Sequence, residues 1–315
     1  MNLKKTLKQN VYVFLAYTST RDFLRKLLWS DKAFKLKTFR KTHGRNPNLE
    51  NPKSFSEKLL WSSLNYRDDR FVRFADKYLV RKHVAEVIGE EYLIPIYDVF
   101  EDIKQMNISN YPNKFVLNAT HGSNMILICN DKETFDYNNA KKLVNSWLHR
   151  NYYNRHREWH YKYIKPRVLC MENICDENGV PPLDYKFFCF DGKPYIVVLD
   201  IERFGDSTKR NVYDMNWKQV EGVSLTRPQV TNKEYQKPEN FEEMKELAIK
   251  LAQGFEHVRV DLYNVNGKIY FGELTFLHAA AGILGKISPY SYNEELGDLF
   301  KLPKRNIDDW KYNGE

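Results

Sequence analysis

The chain has 315 residues, of which 42% are hydrophobic and 29% charged, enough apolar content for a packed core at two-domain length. That balance excludes disordered and fibrous chains, and no internal repeat points to a solenoid. The net charge of +8 is uneven: residues 1–46 hold twelve Lys or Arg against Asp22 and Asp31, so this stretch carries +10 and the remainder −2.

In chain order, that basic stretch interleaves its cations with Phe23, Leu24, Leu27 and Leu28 at helical spacing. Such a helix either lies on an anionic membrane surface or packs on the body with its lysines in water. No recognised reader motif accompanies the charge, so nucleic acid is not an expected partner. Val11 to Tyr17 is too short for a signal peptide and lacks a cleavage site. No run approaches the roughly 18 apolar residues of a spanning helix. The expected location is the cytoplasm, with peripheral contact at the inner face of the cell membrane open to residues 1–46.

Residues 47–53 read as a loop, and Ser54 with Glu57 forms a capping-box signal for a helix with Phe55, Leu59, Leu60 and Leu64 on its apolar face. A second helix is expected over 70–88, stopped by Gly89, then a β-like run over 92–99. From Lys114 the period becomes two: a strand over 115–117, a loop over 120–124 and a return strand over 125–129. A helix follows at 138–147, a strand at 168–174 and a turn at 176–179. Strands 185–190 and 195–200 flank Asp191-Gly192, a hairpin signal. A helix at 241–253 precedes a last hairpin, 258–263 with 268–274. The order is α+β rather than regular βαβ alternation. The four cysteines, Cys129, Cys170, Cys175 and Cys189, lack zinc-site spacing and read as buried free thiols.

The chemistry concentrates late in the chain. In paired strands Asp261 and Glu273 can project from one face, and two carboxylates so placed repel unless a cation joins them. Mg²⁺ suits such oxygens together with substrate phosphates. Arg259 shares the face of Asp261 and can clamp a phosphate or a developing oxyanion. Spacing alone also allows an exposed ion-pair hairpin. Asp184 and Lys186 open a strand walled by Phe187, Phe188 and Phe190, which resembles a place for a planar base beside a phosphate-binding cation. Arg203 follows one hairpin later. The segment from Tyr152 to Tyr161, rich in aromatics and cations, is either a receiver for a charged sugar or a packed surface loop.

The string Asp184-Tyr-Lys-Phe-Phe-Cys-Phe-Asp-Gly-Lys-Pro, followed by Arg259-Val-Asp-Leu-Tyr-Asn-Val-Asn-Gly-Lys-Ile-Tyr-Phe-Gly-Glu-Leu-Thr-Phe, resembles the TupA-like ATP-grasp family of bacterial surface-polysaccharide gene sets. Supporting segments are Pro52-Lys-Ser-Phe-Ser-Glu-Lys-Leu, Ala75-Asp-Lys-Tyr, Ile88-Gly-Glu-Glu-Tyr-Leu-Ile-Pro, Thr120-His-Gly-Ser and Arg157-Glu-Trp, so the resemblance spans about residues 45–303. It implies an α+β ATP-grasp fold with a nucleotide cleft between two lobes and an added basic helical N-terminus. The implied division is a basic segment 1–46, a helical part 47–113, a small lobe 114–175, a large lobe 176–303 and a tail 304–315.

The resemblance also assigns roles. Lys77 is the first ATP-contacting lysine, and His121, Gly122 and Ser123 form the loop that closes over phosphates. Glu172 holds the base or ribose. Lys186 meets phosphate beside Asp184. Asp261 and Glu273 are the Mg²⁺ ligands, and Arg259 stabilises an acyl phosphate or tetrahedral intermediate, with Arg203 a further catalytic cation. Asn118 stands where the family has a phosphate-contacting lysine. Thr275 stands where the superfamily more often has a metal-binding Asn, and Phe276-Leu-His278-Ala-Ala-Ala-Gly282 replaces a Gly-rich turn. The implied reaction is an ATP-dependent, Mg²⁺-assisted joining of an amine to a carboxylate, such as a uronic acid, through an acyl phosphate. The alternatives are a glycosyl- or other group transferase using a nucleotide-activated donor, and a degenerate ATP-grasp binding protein.

Overall fold

The computed structural model describes residues 20, 27–201, 209–230 and 235–312. The chain forms two compact units: Met1–Lys35 with Pro95–Asn173, and Leu36–Ile94 with Ile174–Glu315. The span 47–113 is therefore shared between them at Ile94 and Pro95.

In the first unit, β1 (Ile96–Phe100), β2 (Phe115–Ala119), β3 (Ile126–Cys129) and β4 (Val168–Glu172) form an antiparallel sheet in the order β1-β4-β2-β3. Phe115, Leu117 and Ala119 alternate along β2 onto one face and pack with Val144, Trp147 and Leu148 of the helix Tyr137–Leu148. Asp136 caps that helix by accepting from Asn139 N at 3.0 Å. β2 and β3 make the expected hairpin, with left-handed Asn124 (φ 60°) at its tip. β4 stops short of the predicted Ile174: Asn173 turns aside and donates to Cys129 O at 3.0 Å.

In the second unit the capping box forms as expected. Ser54 and Glu57 satisfy each other's backbone N–H at the head of the helix Phe55–Asn65. The predicted helix 70–88 is two helices, Asp69–Ala75 and Val80–Val87. The break is Asp76, buried and extended (φ −75°, ψ 113°), whose carboxylate accepts from Tyr78 N at 2.8 Å and so competes with the helical ladder.

The main sheet contains β5 (Asp184–Phe190), β6 (Lys193–Ile201) and β7 (Lys209–Asp214), while β8 (Ser224–Leu225) lies apart; β9 (His257–Val265) and β10 (Lys268–Thr275) complete it in the order β10-β9-β5-β6-β7. β11 (Ile287–Ser288) pairs with β8. Positive φ at Asp191 (50°) and Gly192 (73°), and at Asn266 (51°) and Gly267 (84°), builds the two tight hairpins. One face of the sheet lies under the helix Phe241–Ala252, where Phe187 stacks near Phe241. The other face packs Phe188, Phe190, Ile196, Val198 and Val212 against Phe55 and Leu59, and against Leu296 of the helix Tyr290–Leu299. Cover on both faces explains why every residue of β5 is buried. β7, β8, β11 and the helix Tyr290–Leu299 go beyond the elements read from the sequence.

Among the described residues no helix is long and apolar enough to cross a membrane. Within 1–46, residues 1–19 and 21–26 lie outside the described ones. In the helix Asp31–His43, Phe39 is fully buried and stacks on His43. The cysteines are free, but only Cys129, Cys170 and Cys189 are buried; Cys175 sits past the end of β4 and is half-buried.

Candidate functional site

The face of the main sheet that carries the hydrophobic core turns ionic along one end. Lys186 on β5 stands opposite Asp261 on β9, which stands opposite Glu273 on β10. Two residues along β5, Asp184 stands opposite Asp200 on β6, which faces Arg210 on β7. In the other direction Phe188 stands opposite Arg259, which stands opposite Thr275. Period-two geometry thus gathers residues from five strands onto one patch.

Lys186 Nζ bonds Asp184 and lies 2.8 Å from Asp261 Oδ2 and 3.8 Å from Asp200 Oδ2. Arg259 grips Asp261 with two parallel bonds, 2.6 Å from Nε to Oδ1 and 2.7 Å from Nη2 to Oδ2. The same Nη2 donates to Glu273 Oε1 and Thr275 Oγ1, each at 3.1 Å, and the Thr275 hydroxyl donates to Glu273. Arg210 Nε lies 2.5 Å from Asp200 Oδ1.

Four carboxylates (Asp184, Asp200, Asp261, Glu273) therefore meet three cations (Lys186, Arg210, Arg259), leaving one formal negative charge. Burial favours the neutral form of Lys186, but Asp184 and Asp261 together outweigh it and raise its ammonium above the ordinary value. Burial, with Asp184 and Glu273 nearby, pushes the Asp261 carboxyl up against the pull of Arg259 and Lys186. Burial also opposes ionisation of Asp200, yet Arg210 holds its carboxyl below the usual value.

A hard divalent cation fits this donor set. Asp261 and Glu273 stand side by side, the Glu273 side chain is 38% exposed and the cluster carries one net negative charge, so a cation reaching Asp261 would exchange with the bonds it now accepts from Arg259 and Lys186. Among the described residues no three His, Cys, Asp or Glu gather around one point, so such an ion would need further oxygens, as from a bound substrate.

Beside the patch lies a cavity of about 220 Å³ walled by Lys186, Arg210, Arg227 and Arg259 on its cationic side and by Phe55 and Phe188 on its apolar side. Arg227, exposed, forms no ion pair among the described residues. After β10 the backbone takes a left-handed turn through Ala279 (φ 51°), Ala280 (55°), Ala281 (61°) and Gly282 (75°). Consecutive non-glycine residues in this region are strained, and such strain concentrates at functional sites. The turn brings His278 to the cavity wall.

The predicted residues thus divide. Asp184, Lys186, Arg259, Asp261 and Glu273 come together in the second unit, and Lys77 sits in the turn between the helices Asp69–Ala75 and Val80–Val87. Lys186 is ringed by carboxylates rather than standing ready for phosphate alone. Asn118, His121, Gly122, Ser123 and Glu172 lie in the first unit. There His121 is buried, with its Nε2 2.8 Å from Trp147 O, and a Cβ on Gly122 would fall 2.6 Å from the Tyr152 ring. These two residues pin the hairpin tip to its core, while Ser123 and Asn124 are exposed. Glu172 ends β4, with its N–H donating to Pro95 O. Arg203 lies outside the described residues. Of the segment from Tyr152 to Tyr161, Tyr152, Arg157, Trp159 and His160 are buried, which is the packed reading. Sequence reasoning missed Asp200, Arg210, Arg227, His257 and His278. A charge at the end of the run Ile196-Val-Val-Leu-Asp200, in phase with Asp184 on the partner strand, was the available signal for Asp200.

Solved structures similar to the chain include D-alanine–D-alanine ligase from Bacillus anthracis complexed with ATP (15% identity, TM-score 0.39, 65% of this chain and 55% of that one). Others are the D-alanine–D-alanine ligase from Helicobacter pylori (11%, 0.41, 80% and 68%) and the ATP-grasp ligase PsnB complexed with minimal precursor (11%, 0.41, 78% and 66%). The chain spans little more than half of the first of these. Among curated proteins, none matches it. Residues 57–301 match the TupA-like ATP-grasp family, most of the chain and all of the ionic patch, and the protein belongs to that family and has its ATP-grasp fold.

Proposed function

We propose that the protein is an ATP-dependent, ADP-forming carboxylate–amine ligase that makes an amide on a uronic acid during bacterial capsule or other surface-polysaccharide biosynthesis. The observation that carries this reading is the row Glu273–Asp261–Lys186 with Arg259 alongside, bordering a cavity walled by cations. The γ-phosphoryl group of ATP passes to the substrate carboxylate, giving an acyl phosphate and ADP. An amine then attacks the carbonyl carbon: the C–N bond forms, the C–O bond to phosphate breaks, phosphate leaves, and the amine proton goes to solvent.

This chemistry needs no side-chain nucleophile. It needs positioning and fixed positive charge where oxyanions develop, which Arg259 and Lys186 provide from a rigid sheet. Mg²⁺ held by Asp261 and Glu273 would neutralise the transferring phosphoryl oxygens. The buried network keeps Arg259 charged and oriented: burial works against its charge, but Asp261 and Glu273 more than compensate and raise its pKa.

The test is ADP release from purified protein given ATP, Mg²⁺, a uronic acid and an amine, with hydroxylamine as a trap for the acyl phosphate. Hydroxamate formation is expected, and Glu273→Ala should lower the rate by about 10²-fold or more. Stabilisation by a nucleotide sugar but not by ATP would sink the reading.

A further inference from the structure

His257 and His278 form a buried pair, Nε2 to Nε2 at 3.1 Å, that the ligase reading leaves unused. Their protonation follows from one carbonyl. His257 Nδ1 lies 2.8 Å from Cys189 O, and a carbonyl oxygen only accepts, so His257 carries its proton on Nδ1. Both rings sit among aromatic side chains: Phe55 meets His257 edge-on at 4.9 Å, Phe190 stacks on it at 4.7 Å, and Phe188 meets His278 edge-on at 4.9 Å. In that setting burial lowers His257 to about 3 and holds His278 well below its ordinary value, so both are neutral. The Nε2 of neutral His257 is then a lone pair, and His278 must supply the proton between the two rings from its own Nε2. The second nitrogen of His278, Nδ1, is left as a lone pair. It makes no hydrogen bond among the described residues, and His278 lines the cavity.

Besides the hydroxyls of Ser56 and Thr226, which both donate and accept, the cavity offers two one-way contacts. Lys186, Arg210, Arg227 and Arg259 only donate and are positive. His278 Nδ1 only accepts and is neutral. Arg227, which has no carboxylate partner among the described residues, calls for an anion, and the other three can donate to it. The fixed acceptor calls for an O–H or N–H on the same molecule, and Arg259 and Arg210, whose charges act on His278, disfavour a protonated amine at that point. A volume of about 220 Å³ has room for a handful of waters or one small polar molecule.

We propose that His278 Nδ1 is a specificity-determining acceptor which, set in its tautomer by His257 and Cys189 O, selects a hydroxylated carboxylate over an amino acid or an unsubstituted acid. The carboxylate faces the cationic wall and a substrate hydroxyl donates to His278. His278 touches substrate; His257 is a positioning residue. The proposal rests on the ligase reading for the site but is a statement about binding, so it is tested without turnover.

Galacturonate, cyclohexanecarboxylate and alanine are titrated into full-length protein by calorimetry, and ¹⁵N-histidine spectra are recorded from pH 5 to 9. Galacturonate should bind at least about tenfold more tightly than either other probe, the equivalent of ~1.4 kcal/mol. His278→Phe should erase that margin without weakening cyclohexanecarboxylate, and His278→Asn, which keeps an acceptor, should restore part of it. His257→Phe should reduce it by freeing the His278 tautomer. The spectra should show His278 neutral throughout and protonated on Nε2. A His278 bearing its proton on Nδ1, a margin untouched in His278→Phe, or failure of galacturonate to outbind the others overturns the proposal. If the margin behaves as expected but no ADP is released with any amine, the ligase reading alone fails.

Discussion

Glu273 stands opposite Asp261 only because Gly272 is bulged out of the β9–β10 register. Phe271 pairs with Leu262, so an unbroken ladder would set Gly272 opposite Asp261 and turn Glu273 to the other face beside Val260. One extra residue moves a carboxylate from one side of the sheet to the other and creates the acidic pair.

Glycine is required at that bulge by space. A Cβ at position 272 would lie 2.9 Å from the carbonyl oxygen of Asp261, a backbone atom with little room to give. Gly272→Ala should cost about 1–3 kcal/mol in stability and lower Mg²⁺-dependent ADP release by more than the melting curve accounts for. Rate, Mg²⁺ dependence and melting temperature are measured together, and an unchanged Mg²⁺ dependence at normal rate refutes the link between bulge and metal pair.

Arg210 and Arg227 both face the cavity but differ in what else they hold. Arg210 pairs with Asp200 at 2.5 Å and donates to Leu225 O at 3.0 Å, so its removal strands a buried carboxylate. Arg227 is exposed and has no such partner among the described residues. Arg227→Ala should weaken galacturonate binding while leaving stability within about 0.5 kcal/mol. Arg210→Ala should lose both. Equal melting-temperature losses in the two variants would contradict this division.

Glu57 illustrates how the acid side of stability is set. Its carboxylate accepts from Asn48 N at 2.9 Å, Ser54 N at 3.2 Å and Arg45 Nη1 at 2.5 Å. Burial works to raise its pKa, but the Arg45 bond and the backbone donors together lower it below the ordinary 4.5. A depressed carboxylate contributes stability that is present above its unfolded pKa and lost as pH falls through the folded value. Glu57→Gln should therefore cost about 1–3 kcal/mol at pH 7, with the gap to wild type closing below pH 4.5. Denaturant melts at pH 7 and pH 3 check it; a gap that stays constant would be wrong for this account.

Local chemistry was legible in the sequence. Ser54 and Glu57 are three residues apart, Asp191-Gly192 and Asn266-Gly267 force their hairpins, and Asp261 with Glu273 belongs to one such hairpin. What was hidden depends on long-range register. Nothing local pairs Lys186 with Asp261, and a lone His257 in the run His-Val-Arg-Val looks like any core histidine until His278 arrives 3.1 Å away. The split at Asp76 was missed because the apolar spacing of 70–88 continues through it, whereas the side-chain bonds that end the first helix do not show in periodicity. The family resemblance supplied the grouping of Lys186 with Arg259, Asp261 and Glu273 that spacing left open.

Lys186 is the residue on which the patch depends most for stability. Its ammonium bonds Asp184 and Asp261, and both carboxylates are only 2% exposed. Lys186→Met keeps much of the side-chain length and removes the charge, leaving those acids with Arg259 as the main compensating cation. Breaking a buried pair from one side typically costs about 3–5 kcal/mol. The pH dependence distinguishes this cause from a packing defect. Lys186 has a raised pKa, so its own contribution is complete at neutral pH and fades only as pH rises through that raised value. In the variant Asp261, whose carboxyl burial already raises, loses a compensating cation, so the folded state takes up a proton more readily and regains stability as pH falls. The deficit of Lys186→Met relative to wild type should thus be largest near pH 8 and shrink towards pH 5. A deficit independent of pH would mean that lost packing, and not uncompensated buried charge, is what the substitution exposes.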